Sequence, residues 1–510
     1  MPELTLKSKL VESFSKYNHK TALWFYNGEI LQEKLSYADL DMDSNRAANL
    51  FLDMGIEKGD RIILCLPKSL SFIIAYLAIL KINAISVPLN PEYTKNELKY
   101  LVQDSQAKIA IVGPEQSFLF KQISPDLPTI EIDPKADNKN TAHLQTNITD
   151  PPTINVEPED PALIIYTSGT TGNPKGAVLT HKNLIYDALN IIDIWSISHT
   201  DILCHALPLF HVHGLCFALN TALLAGSEII MLNIFNAEKV VSTLSNKHDH
   251  SICTIFMAVP AMYGKLLGLM KGKNFDFGHL RLITSGSAPL LPKDFERITK
   301  AFGQEPVERE GMSETGMNFS NPIKGKKKPG SIGVPLPGLQ VKIVNPKNFG
   351  EVNPGEIGEI WLKSPSIIKA YWRKPKETTD TFVNGWFRTG DLGYVDEEGY
   401  YFLTDRIKHI IISGGENISP KEVENVINTI ESVFESSVVG IFNETWGEKI
   451  VAAVVPLPDK KLNPDKVISY CKLYLHPWKC PKQVIITDKL PRNTMGKILK
   501  EEVKILFNNP

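Results

Sequence analysis

The sequence is poor in cysteine, and the six it has keep no metal-ligand spacing: Cys65, Cys204, Cys216, Cys253, Cys471 and Cys480. That pattern argues against a zinc site or a disulfide framework, and for reduced, buried thiols in a cytoplasmic protein. Long apolar runs are missing too. The longest, Phe72 to Leu80, lies between Lys68 and Lys81 and is too short to span a bilayer, so it reads as a core helix. Met1 to Thr5 lacks the shape of a signal peptide, and Phe507 to Pro510 carries no address or lipid-anchor motif. Neither sign of charge dominates. A formal net charge of -2 gives no electrostatic case for nucleic acid. No Gly-Lys pair is followed by Ser or Thr, which removes the usual P-loop signature, and the absence of Gly-x-Gly-x-x-Gly leaves a dinucleotide site unsupported.

What is present is an ordinary globular composition, 43% apolar and 22% charged over 510 residues. That length suits about two to four domains. Strand-like runs at Ile62 to Leu66, Ala84 to Leu89 and Lys108 to Val112 alternate with helical patterns opened by Ser36, Ser69 and Pro91 to Thr94. This alternation predicts an α/β architecture with mostly parallel sheets. An early hairpin is expected at Asn27-Gly28. Residues 114 to 160, rich in Pro, Asp and Asn, read as a loose connection.

One stretch stands out chemically: Tyr166-Thr167-Ser168-Gly169-Thr170-Thr171-Gly172-Asn173-Pro174-Lys175-Gly176. It leaves an apolar strand, Ala162 to Tyr166, and precedes a helix from about Asn183. Its glycines let backbone approach a ligand closely. Its N–H groups and hydroxyls can cradle phosphate oxygens, and Lys175 adds a point charge. A plain surface loop is the alternative. Five hydroxyl side chains, three glycines and a Pro-Lys within eleven residues argue against it.

This stretch resembles the phosphate loop of the AMP-forming, acyl-adenylate-making family, which includes acyl-CoA synthetases. The resemblance runs nearly to both ends of the chain. It implies a large N-terminal multi-layer α/β domain over residues 1–406 and a small mobile C-terminal α/β domain over 407–510. It implies ATP, Mg2+ and coenzyme A, with Thr167 to Gly172 and Lys175 on the phosphates. Ser285-Gly286-Ser287-Ala288-Pro289 matches the adenine turn, which points to Gly286, Ser287 and Ala288. In Glu310-Gly311-Met312-Ser313-Glu314-Thr315, Ser313 would hold a phosphate oxygen and Glu314, with Thr170, would hold Mg2+. The sequence departs from the family at Glu310, where an aromatic ring usually stacks on adenine.

Further matches follow along the chain. His211, in Phe210-His211-Val212-His213, corresponds to the residue that gates the acyl pocket and is counted with the catalytic set. His211 and His213 lack acidic or cysteine partners at ligand spacing, so a metal role is not expected of them. Asp391, in Thr389-Gly390-Asp391, matches the ribose carboxylate; Arg406 matches the ribose- and phosphate-binding arginine; Lys408 matches the hinge. Gly414 and Gly415 match the turn that approaches pantetheine. Lys497, in Pro491-Arg492-Asn493-Thr494-Met495-Gly496-Lys497, matches the catalytic lysine, whose charge lets two anions meet.

Within the family, several stretches look most like malonyl-CoA synthetases, among them Pro88 to Pro91, Phe210 to Gly214, Gly311 to Asn318 and Arg492 to Lys497. Gly311, Met312 and Met317 fall along the implied acid pocket. A dicarboxylate needs a second cation for its far carboxylate, and Arg281 and Arg309 are the candidates. Ile234, where that group often carries a basic residue, would suit a fatty acyl tail instead. Malonate or a related small dicarboxylate is expected, with a medium- or long-chain fatty acid as the alternative. Transfer of the acyl group to a carrier-protein thiol is a second alternative.

Overall fold

The computed structural model describes residues 4–133, 144, 146–167, 173–245, 252–413, 416–493 and 496–507. The chain divides into two compact units, residues 1–340 with 363–387, and residues 341–362 with 388–510. Among the described residues, no helix is long and apolar enough to cross a membrane.

The first unit is α/β, with two sheets. A nine-stranded sheet has six parallel strands at its centre: Val307–Met312, Leu282–Ser285, Ile255–Ala258, Ile202–His205, Glu228–Leu232 and Thr21–Asn27. Antiparallel strands finish both edges, Gly316–Ser320 and Val334–Pro335 on one side and Ile30–Ser36 on the other. The six-stranded sheet runs Thr129–Glu131, Ile109–Val112, Arg61–Cys65, Ile85–Pro88, Pro161–Thr167 and Lys175–Thr180. Only its last pair is antiparallel. Strands buried on both faces need continuous apolar runs, and Ile62 to Leu66 supplies one.

Local chemistry sets the helix starts. Leu70–Lys81 is buried along its whole length, and Ser69 caps it by accepting the Phe72 N–H. Ser36 and Asp39 form a reciprocal capping box for Tyr37–Asp53. Thr94 and Glu97 do the same for Lys95–Ser105, so that helix starts just after Thr94 instead of at Pro91. The expected hairpin is present, with Gly28 at positive φ between its strands. The expected loose connection over 114 to 160 is corrected in its first part only, since residues 146–160 carry no helix or strand. Pro114 opens a helix, Pro114–Ile123, whose Phe120 is buried in the same apolar cluster as Val112 and Ile164, and Thr129–Glu131 adds a strand. Composition hid this because a proline at the first helical turn starts helices as well as breaking them. All six cysteines are buried and unpaired.

The second unit is also α/β. One sheet draws on Gln340–Val344, Gly358–Lys363, Trp386–Val395 and Tyr401–Arg406. The other joins Glu416–Ile418, Ile411–Ser413, Gly447–Pro456, Val433–Asn443 and Gln483–Ile486. Helices Pro420–Ile427 and Pro464–Tyr474 cover it through Val423, Ile427, Val467 and Cys471.

Candidate active site

In the first unit the site is built at the stem of a hairpin. Pro161–Thr167 pairs with Lys175–Thr180 so that Thr167 faces Lys175. Ser168, Gly169, Thr170, Thr171 and Gly172 lie outside the described residues. Thr167 Oγ1 donates to Glu314 Oε1 at 3.2 Å across 147 residues of sequence. Tyr371 Oη donates to the same oxygen at 3.1 Å, and the Lys175 ammonium lies 5.3 Å from the Tyr371 ring centroid. Two motifs far apart in sequence thus share one carboxylate, which is 8% exposed. Glu314 with Thr167 beside it offers the hard oxygen donors that a divalent cation takes. Ser313 sits half-buried in the turn just before it.

The turn after Leu282–Ser285 is tight. Ser287 adopts φ +67, and its Oγ lies 3.2 Å from His213 Nδ1. At Gly286 any Cβ would fall 2.5 Å from Arg309 Nε. At Gly311 a Cβ would fall 2.6 Å from the Gly316 carbonyl oxygen, so both glycines are required by close approach. Ala288 follows, partly exposed. Glu310 accepts from Asn318 Nδ2 at 3.0 Å, which anchors a carboxylate where the family has a ring.

Beside this turn lies a buried polar cluster. Arg309 is only 3% exposed, and its Nε and one terminal nitrogen have no hydrogen-bond partner among the described residues. Its guanidinium sits 5.1 Å from the Phe217 ring centroid. Burial pulls its pKa down to about 10, although Glu310 and Asp187 oppose this. His211 and His213 each have a buried Nε2 without a partner among the described residues. Burial lowers His211 to about 4 and carries His213 well below its ordinary value, with the Arg309 charge adding to the latter. Both imidazoles are neutral near pH 7. Asp187 accepts the Met317 N–H at 2.8 Å, and burial raises its carboxyl to about 7. Met317 is buried and Met312 half-buried on adjoining strands.

Arg281 is not brought to this cluster. Its guanidinium donates to both carboxylate oxygens of Asp201 at 2.6 Å and to the carbonyls of Trp195 and Ser196. It is spent on fixing the turn before Ile202–His205. Ile234 is exposed. Sequence reasoning missed Tyr371 and Asp187. Asp187 left a signal, a carboxylate at helical spacing with the apolar Leu184, Ala188 and Ile191 on the buried face of His181–Ile194.

The second unit, taken by itself, holds a separate group of predicted residues. Strand register sets Asp391 opposite Arg406, and the pair is bidentate, Nε to Oδ1 at 2.6 Å and Nη2 to Oδ2 at 3.3 Å. Lys408 follows in a single 3-10 turn, Ile407–His409. Burial, then the charges of Arg406 and Lys497, lower its pKa to about 8. Burial alone would raise Asp405, but His409, the Lys500 charge and the N–H groups of Lys421 and Arg406 outweigh it and hold the carboxyl at about 2. Gly414 and Gly415 lie outside the described residues. Lys497 is exposed, just after Gly496 at φ +76, in a small loop closed by the Arg492–Ile498 bridge. Asn493 Oδ1 accepts the Lys497 N–H at 2.9 Å.

Comparison with known proteins adds the following. The family model described as AMP-binding enzyme matches residues 10–372, and that of the AMP-binding enzyme C-terminal domain matches residues 422–497. The chain is 32% identical to a long-chain-fatty-acid–CoA ligase of Bacillus subtilis, covering 99% of this chain and 94% of that protein. It is 31% identical to a mitochondrial malonate–CoA ligase of Bos taurus, covering 92% and 86%. The crystal structure of ATP-bound MatB from Rhodopseudomonas palustris superposes with a TM-score of 0.92 at 34% identity, covering 99% of both chains.

Proposed function

This chain belongs to the AMP-binding enzyme family and is an AMP-forming acyl-CoA ligase; on that premise we propose that its acid is malonate or a related small dicarboxylate. The observation that carries the proposal is the buried guanidinium of Arg309, with two nitrogens unsatisfied among the described residues, neutral His213 beside it and neutral His211 next to His213. A buried donor without an acceptor is costly, and a planar carboxylate matches a guanidinium fork. A hydrocarbon tail would leave those donors orphaned. The relative named a malonate–CoA ligase agrees with this reading. The relative named a long-chain-fatty-acid–CoA ligase and the exposed Ile234 favour the second reading, a fatty acid.

The chemistry runs in two half-reactions. The acid carboxylate attacks the α-phosphorus of ATP, a P–O bond forms, and pyrophosphate leaves. Lys497 offsets the charge as the two anions meet, while Lys175 and Ser313 hold the phosphates in line. Mg2+ bound at Glu314, Thr167 and Thr170 would neutralise the triphosphate. Asp391, as an acceptor-only carboxylate, suits the ribose hydroxyls, and Arg406 orients it. The CoA thiol then attacks the acyl carbon and AMP leaves, with Gly414 and Gly415 on the pantetheine side. The lobe from 407 onward is proposed as the lid, turning at Lys408 between the steps.

A panel of acids from acetate and malonate to palmitate, read by pyrophosphate release with and without CoA, tests the proposal. Malonate should give the highest kcat/KM. Preference for palmitate would reject the dicarboxylate reading. Adenylation that proceeds to thioester only with a carrier protein would reject CoA as the acceptor.

A further inference from the structure

The phosphate-loop reading assigns the loop itself, not what holds its two ends apart. Asp104 does this from outside the site. It lies in the last turn of Lys95–Ser105, where a carboxylate opposes the helix dipole and so costs the helix stability. The compensation is tertiary. Asp104 Oδ2 accepts the Tyr166 hydroxyl at 2.8 Å, and Oδ1 lies 3.3 Å from the Lys374 ammonium and 3.3 Å from the Tyr100 hydroxyl. Its backbone carbonyl accepts Trp372 Nε1 at 3.0 Å. Tyr166 stands two residues before Ser168. On the far side of the loop, the Tyr100 hydroxyl lies 3.1 Å from the Pro174 carbonyl, and the Trp372 N–H donates to the Gly176 carbonyl at 2.7 Å. A Cβ at Gly176 would fall 3.2 Å from Trp372 Cβ and 2.7 Å from Ile164 Cγ2, so the stem has no slack. The strand that enters the loop is therefore tied directly to the half-buried Asp104 carboxylate, and the strand that leaves it is tied to the same residue through Tyr100 and through the Asp104 backbone carbonyl.

We propose that Asp104 is a positioning residue for the phosphate loop, setting the spacing of its two ends through Tyr166, Tyr100 and the Trp372–Lys374 segment. The inference rests on residues 168–175 being the triphosphate site. It touches neither the acid pocket nor the thiol step, so the two substrates separate the effects. Asp104→Ala should raise KM for ATP by about tenfold or more, the scale of one charged hydrogen bond. KM for the acid should stay within about twofold, because nothing in the acid pocket is altered. Thioester formation from a supplied acyl-adenylate should be unchanged. Tyr166→Phe, which removes one hydroxyl and keeps the ring, should move KM for ATP in the same direction by less and remains the decisive variant if Asp104→Ala fails to fold. An unchanged KM for ATP in a folded variant overturns the proposal, as does an equal rise for ATP and acid. Lys175→Ala separates the premise: if it leaves ATP use intact, the phosphate-loop reading itself fails, whereas a strong Lys175→Ala effect beside a silent Asp104→Ala rejects only the clamp.

Discussion

Arg309 is the residue on which the proposed acid specificity rests: it is 3% exposed, and its Nε and one terminal nitrogen are unsatisfied among the described residues. Its position before the Glu310-Gly311-Met312-Ser313-Glu314 run marks it as a candidate cation. Sequence gives no hint that its nitrogens are buried and unsatisfied, or that the rival Arg281 is consumed by Asp201. Arg309→Met keeps the volume and removes the donors. It should raise KM for malonate by about 100-fold, within the roughly 2–5 kcal/mol expected for truncating a buried charged partner, with KM for ATP little changed. Steady-state pyrophosphate release measures both. Glu308, next in the same strand, gives a pH prediction. Burial raises its carboxyl to about 8, despite the Gly330 N–H it accepts. The folded protein then holds a proton that the unfolded chain has released, so stability falls as pH rises from about 4.5 to about 8, by up to about 1.4 kcal/mol per pH unit. Denaturant unfolding of Glu308→Gln should show a flatter dependence over that window. An unaltered slope would mean Glu308 is ionised in the fold.

At the scale of elements, the legible parts were those whose chemistry is local. Ser36, Ser69 and Thr94 announce their helices because a cap needs only the next three residues. The loop beginning at Thr167 is readable for the same reason. The contact between Thr167 and Glu314 is not, because it depends on how two sheets meet. The stretch after His211 gave a plain apolar helix in the sequence and is a π-helix, His213–Asn220. Such segments carry one extra residue per turn and recur at functional sites. Gly214 permits it: a Cβ there would fall 2.0 Å from the Pro208 carbonyl oxygen. This helix carries His213 and the Phe217 ring that lies under Arg309. Gly214→Ala should cost about 1–3 kcal/mol by overpacking and raise KM for the acid. A thermal unfolding midpoint and an acid KM both unchanged would show that the π-turn does not shape the pocket.

For the whole molecule, the alternation of strands and helices was enough to give the α/β class and the parallel centres of the two sheets in the first unit, but the sheets of the second unit are largely antiparallel. It could not show that residues 341–362 and 388–406 pack with the C-terminal residues, since compactness is a property of long-range contacts. The proposed reaction divides in the same spirit, into a step that needs Lys497 and a step that does not. Lys497→Ala should lower adenylate formation by about 10²–10³, the loss expected for one preorganised donor. Thioester formation from a supplied acyl-adenylate should be spared, and equal loss of both would contradict the role. The two-step reaction is tested most directly by mixing the protein with ATP, Mg2+ and malonate without CoA, and following products by mass spectrometry before and after adding the thiol. Malonyl-adenylate and pyrophosphate should form first, then malonyl-CoA and AMP in equal amounts once CoA is present. ADP and phosphate as products, or an adenylate that CoA does not consume, would contradict it.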